Sequence, residues 1–139
     1  KTDASLVELL EHYAGVRPVD PMPHRRLAFY WLESNTRERA IPHLEMLDRA
    51  QEKTPVFTTQ LAKLYRDLGE TEKAAKKANR ALHFDPYHAA SRELAASVAI
   101  ENGDLTLARR HIKALTLIEP DRPQHQRRLE AIDRMLETR

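Results

Sequence analysis

The chain has 139 residues, 41% of them apolar and 32% charged, with no low-complexity run, which suits one globular domain with a sizeable core and excludes a disordered tail. Its 23 Lys and Arg against 21 Asp and Glu leave a net charge of +2, too mild to demand a nucleic-acid or membrane partner, and no stretch is long and apolar enough to span a bilayer. Three glycines, no cysteine and abundant Ala, Leu, Glu, Arg and Lys predict an all-α protein without disulfides or thiolate chemistry.

Lys1 is not a methionine, and Lys1 to Glu11 lacks the layout of a secretory signal, so the sequence reads as a processed chain or, preferably, a segment of a longer one. Asp3 is a good N-cap, and Leu6, Val7, Leu10 and Tyr13 follow at helical spacing, so a short helix is expected with Gly15 as its stop. Arg17 to Pro23 then carries three prolines, which disfavours helix and predicts a stiff extended connector, the best boundary in the chain. Residues 1–20 are thus expected to be an N-terminal helix and connector, and 21–139 the main domain.

Beyond the connector the sequence repeats with a period of 34: Ala62, Gly69, Ala74 and Pro86 recur as Ala96, Gly103, Ala108 and Pro120. One period earlier, Leu61, Ala62, Tyr65, Gly69, Ala74 and Ala81 meet Leu27, Ala28, Trp31, Asn35, Ala40 and Leu47. Each recurrent residue has a physical task. Ala62 and Ala74 lie on two helical runs, Thr54 to Leu68 and Thr71 to Leu82, whose axes approach closely only where the facing side chains are small. Gly69 ends the first run where a positive φ is wanted, and Asn35 is its usual substitute. Pro86, after the capping residue Asp85, suits the start of a new helix and cannot extend the old one. Leu61, Tyr65 and Leu82 fill the space between helices, and Phe84 covers the seam between repeats. Pro42, inside the second helix of the first copy, is expected to kink that helix or delay its start.

The run Leu61-Ala62, Tyr65, Gly69, Ala74, Ala78, Ala81, Pro86, continued as Ala95-Ala96, Gly103, Ala108, Ile112, Leu115, Pro120, resembles the tetratricopeptide repeat (TPR). The resemblance implies an all-α solenoid of antiparallel helical hairpins at about 21–52, 55–86 and 89–120, closed by a capping helix at about 123–138. The chain departs from the pattern where an aromatic usually opens the first helix, with His24, Thr58 and Arg92 there, and the first copy ends without its proline.

Enzymatic chemistry has no visible seat. The seven histidines include no pair at i, i+4 with an intervening Glu, so no metal is assigned, and His83 and His88 flank an inter-helix turn as solvated loop residues. The glycines are too dispersed for a phosphate cradle, no Ser sits in a nucleophile elbow, and Glu70 and Glu72 read as helix-start charges. From residue 109 onward eight Lys and Arg, including Arg109, Arg110, Arg122, Arg127, Arg128, Arg134 and Arg139, face five acids without interleaved aromatics, which reads as the polar face of a capping helix and not as a nucleic-acid site.

What the resemblance implies instead is binding of an extended peptide or partner segment in the concave face. Carried over by position, that groove is lined by Arg25 and Phe29, then Thr59, Lys63 and Arg66, then Glu93 and Ser97, then Arg127, a net-basic row suited to an acidic or carboxylate-bearing protein segment. The version of the family that clamps a chaperone's C-terminal carboxylate is not supported, because Phe29 and Gln60 stand where its Asn partners belong and Ala90 and Leu94 where its third-copy basic residues belong. The expectation is a protein-interaction scaffold with no cofactor, a monomer or weak dimer. Two alternatives share the fold: an accessory domain of a larger enzyme, and a structural self-assembly unit.

Overall fold

The structure, a computed structural model, describes residues 3–50 and 55–138. Among them are eight α-helices, one 3₁₀ turn and no strand, so the expected all-α class is borne out. The chain divides into two compact units, Lys1–Lys53 and Thr54–Arg139.

The first unit contains α1 (Ala4–Val16), α2 (Pro21–Leu32), a 3₁₀ turn (Arg37–Ala40) and α3 (Ile41–Arg49). The Asp3 carboxylate accepts from the Leu6 N–H at 2.9 Å, as an N-cap should. Gly15, however, is not the stop. The helix runs through it to Val16, and Arg17 closes it by donating to the Tyr13 carbonyl at 2.8 Å. A glycine permits a left-handed turn without requiring one, whereas Pro18 bars Arg17 from continuing the helix.

The connector is also shorter than expected. Only Arg17 to Asp20 lies between the helices, and Pro21 and Pro23 belong to α2. Both occupy the first turn, where backbone N–H groups have no intrahelical acceptor, so proline costs nothing there, and Asp20 caps the turn through the Met22 N–H at 3.0 Å. Pro42 has the delaying effect: the chain makes its 3₁₀ turn first, and α3 begins with Pro42 as its second residue. Val7, Leu10 and Ala14 of α1 are buried, as are Leu27, Ala28 and Trp31 of α2 and Leu44 and Leu47 of α3.

The second unit comprises α4 (Pro55–Asp67), α5 (Thr71–Phe84), α6 (Ala89–Glu101), α7 (Leu105–Ile118) and α8 (Pro123–Glu137). The expected start of α4 at Thr54 lies outside the described residues, as do Lys1 and Arg139. Ala62, Ala74, Ala96 and Ala108 are all at 0% exposure, where α4 packs on α5 and α6 on α7. Gly69 (φ +79°) and Gly103 (φ +75°) take the left-handed conformation. Around each the chain closes the same motif: the Glu70 N–H reaches the Tyr65 carbonyl at 2.8 Å, and the Asp104 N–H the Ala99 carbonyl at 2.9 Å.

Pro86 sits differently from the expectation. Asp85 caps the end of α5, Pro86 and Tyr87 form a turn, and α6 starts at Ala89 after His88. The His88 N–H bonds to the Asp85 carbonyl at 3.2 Å and the Arg122 N–H to that of Glu119 at 3.1 Å, so Pro86 and Pro120 hold the second position of equivalent β-turns, which suits their fixed φ. Arg17 to Asp20 makes the same turn around Pro18, with the Asp20 N–H on the Arg17 carbonyl at 3.1 Å. The turn after α2 follows another rule. Near Asn35 the Ser34 hydroxyl donates to the Trp31 carbonyl at 2.8 Å and its oxygen accepts the Thr36 N–H at 3.1 Å, so a serine closes what glycine closes in the later copies.

A Cβ placed on Gly69 meets nothing within 4 Å, so substitution there is penalised by backbone conformation alone. Gly69→Val should therefore lower stability by at least ~1 kcal/mol in urea unfolding, with Gly69→Asn costing less; a valine variant as stable as the parent would refute the cap.

Candidate functional site

Within the second unit, Thr59, Lys63 and Arg66 fall on one face of α4, about one turn apart, while Leu61, Ala62 and Tyr65 are buried. Lys63 and Arg66 are half-buried, and the Arg66 guanidinium has the Asp67 carboxylate 3.8 Å away. On α6, Glu93 and Ser97 stand one repeat on from Thr59 and Lys63, both half-buried, and on α8 Arg127 is exposed.

Thr59 departs from the expected row. It is only 5% exposed, and its hydroxyl lies 3.0 Å from that of Ser91. The His88 ring Nδ1 accepts the Ser91 N–H and so is unprotonated; the Ser91 hydroxyl then donates to it, which leaves Thr59 as the donor to Ser91. Thr59 thus fastens α4 to the start of α6 and offers nothing to a partner. The same chain of bonds makes His88 the N-cap of α6 and not a solvated loop residue. His83 is exposed at the end of α5, and among the described residues no three potential ligands gather as a metal site.

Glu93 is also engaged, by Arg128 of α8. That pair escaped the sequence reading, which placed Arg128 on a solvated face; its signal was the position of Arg128 beside Arg127, itself one period after Glu93. Arg109 pairs with Asp133 and Arg122 with Glu119, so three of the C-terminal arginines are taken up internally. Ile100, one repeat after Arg66, is 41% exposed and adds an apolar side chain that the sequence reading did not include. Along the expected row, then, Lys63 and Arg66 on α4 and Arg127 on α8 are the cations, with Asp67 beside Arg66, Glu93 is paired with Arg128, and Ile100 adds an apolar side chain.

Arg25 and Phe29 belong to the first unit, both exposed one turn apart on α2, with Phe29 at 58%.

Behind the α6 part of the face lies one strongly perturbed group. Arg92 donates to the Pro86 carbonyl at 2.7 Å and, through its other terminal nitrogen, to His111 Nδ1 at 3.2 Å. A guanidinium only donates, so His111 is the neutral tautomer with its proton on Nε2. Burial is the main cause that pushes its pKa down to about 4, with Arg92 and Arg110 adding to the effect against the opposing pull of Asp104.

No family model matches the sequence, and no curated protein is significantly similar to it. Solved structures do match. MamA superposes with a TM-score of 0.77 at 12% identity, covering 91% of this chain and 74% of that one. The first TPR domain of Spaghetti (RPAP3), bound to the HSP90 peptide SRMEEVD, gives 0.72 at 16% identity over 84% of this chain and 93% of that one. The thermophilic TPR protein TTC0263 of Thermus thermophilus gives 0.64 at 18% identity, with 93% and 72% covered. The fold is that of the TPR proteins, an α-solenoid of helical hairpins.

Because the folded pKa of His111 lies below the ordinary 6.5, its contribution to stability is complete above pH 6.5 and is lost as the pH falls toward 4. Unfolding titrations should show a loss of about 2–3 kcal/mol over that window that His111→Gln, which keeps an acceptor but cannot charge, largely removes.

Proposed function

We propose that this TPR-like domain is a non-catalytic scaffold that binds an acidic, carboxylate-bearing protein segment across α4, α6 and α8. The observation that supports the reading is the charge of that row: Lys63 and Arg66 share one face of α4 and Arg127 is exposed on α8, while the one acidic member of the expected row, Glu93, is paired with Arg128. Ile100 supplies an apolar contact near the end of α6. The peptide-bound state of the Spaghetti TPR domain supports the mode of binding, and the acidic character of its peptide makes SRMEEVD a fitting probe. The residues that would give chaperone-clamp affinity are replaced here, so binding on the order of micromolar strength is expected, since a small interface loses much of its gross energy to ordering the segment.

The test is fluorescence anisotropy with labelled SRMEEVD and an acidic peptide of scrambled sequence. Lys63→Glu with Arg66→Glu should weaken both at least tenfold, and raised salt should do likewise, because the charges are partly solvent-exposed. Lys76→Glu with Lys77→Glu, on α5, should leave binding unchanged. Circular dichroism checks that each variant is folded. Binding that survives the first pair and is lost with the second would place the site on the opposite helices and refute the assignment.

A further inference from the structure

Counted by the 34-residue period, α1 has the register of α3, α5 and α7, the second helices of the hairpins. Leu6 and Tyr13 hold the places of Ala40 and Leu47, of Ala74 and Ala81, and of Ala108 and Leu115, all at 0% exposure on the face along which each hairpin closes. On α1 that face is open. Leu9 is 60% and Val16 64% exposed, Tyr13 is exposed between them, and Leu6 is half-buried, while Val7, Leu10 and Ala14 carry the packing of α1 on α2. Leu9 is moreover apolar where the other second helices have His43, Lys77 and His111, so the stripe is a property of α1 and not of the repeat.

Side-chain size and spacing decide what covers this stripe. Leu6 stands where every hairpin has its fully buried alanine, so a helix cannot close on α1 as α4 closes on α5, and the stripe suits a wider pairing in which long side chains interdigitate. Leu6, Leu9, Tyr13 and Val16 follow one another at intervals of three, four and three, the spacing of a coiled-coil seam, which reads the same from either end. Two copies of α1 laid antiparallel across a two-fold axis therefore set Leu6 against Val16 and Leu9 against Tyr13, each pair occurring twice. Charge favours the same arrangement. Asp3 caps the start of α1, with Glu8 in its first half, and Arg17 caps its end, so antiparallel copies bring acid toward base with their helix dipoles opposed, and parallel copies bring like toward like.

We propose that α1 is a self-association surface, on which a second copy of this chain docks its own α1 antiparallel to the first through Leu6, Leu9, Tyr13 and Val16. The inference uses residues of the first unit only and stands apart from the peptide-binding reading. Four side chains from each copy fall short of the roughly 1,200 Å² that a stable complex buries, so the dimer is a weak one, populated at high concentration.

Sedimentation of the whole 139-residue chain should show it pass from monomer toward dimer between about 10 μM and about 1 mM, the range in which so small an interface associates. Leu9→Glu with Val16→Glu, both at exposed positions, should weaken the association by about tenfold or more, and Leu117→Glu, at an apolar residue of α7 that is 75% exposed, should leave it unchanged. Circular dichroism checks that each variant is folded. The chain has no cysteine, so a nitroxide carried by Ser5→Cys marks one place near the start of α1. Mixed with isotopically labelled unsubstituted chain, it should broaden the methyl signals of Val16 more than those of Leu6, as antiparallel pairing requires. A chain that stays monomeric up to about 1 mM, association that survives Leu9→Glu with Val16→Glu or is lost with Leu117→Glu, or stronger broadening at Leu6 than at Val16 would each overturn the proposal.

Discussion

The close approach of paired helices, held by alanines with no exposed surface, is the constraint on which the rest of this fold depends. Ala62 against α5 and Ala74 against α4, repeated as Ala96 and Ala108, let helix axes come to roughly 8–10 Å and leave no room for a longer side chain at the crossing. Ala28 at 2% and Ala40 at 0% exposure hold the same positions in the first unit, although there a 3₁₀ turn supplies the second alanine. Once the crossing is fixed, the larger residues of each pair, such as Leu61, Tyr65, Ile112 and Leu115, are buried around it, and the outward positions are left to charge.

Much of this was legible because alanine, glycine and proline each do few things, and doing them at a constant interval marks the repeat. The exceptions have physical causes. Pro18 belongs to the same series as Pro86 and Pro120, but Glu52 interrupts that series and Pro21 and Pro23 crowd its neighbourhood, so a repeat turn and a helix start together read as a linker. Gly15 misled because a glycine's freedom says nothing of which conformation its neighbours impose.

The candidate face was legible in part for a related reason. Helical spacing is enough to put Lys63 and Arg66 on one side of α4, but whether Thr59 on that side meets water or protein is decided by Ser91 and His88, some thirty residues away. The pairing of Glu93 with Arg128 likewise depends on where α8 returns. Among the buried and half-buried polar residues, His24 with His43 and Arg92 with His111 recur at matching positions, yet a comparison that tracks only apolar and turn residues passes over them. Polar positions inside a repeat are where copies diverge most in chemistry while keeping geometry, because the carbonyl to be satisfied stays and the donor is free to change.

The order of packing has a kinetic consequence. Each helix packs on its neighbour in sequence within its unit, and α4 with α6 is the one next-but-one pairing of note among the described residues. Contacts so local close only short loops, and chains dominated by them cross their folding barrier in microseconds to milliseconds. Repeats of this kind also nucleate wherever a single hairpin forms and grow outward from it. The α4–α5 and α6–α7 hairpins, each with two fully buried alanines at its crossing and a glycine fixing its turn, carry equivalent local instructions, so assembly of the second unit has two equivalent places from which to start.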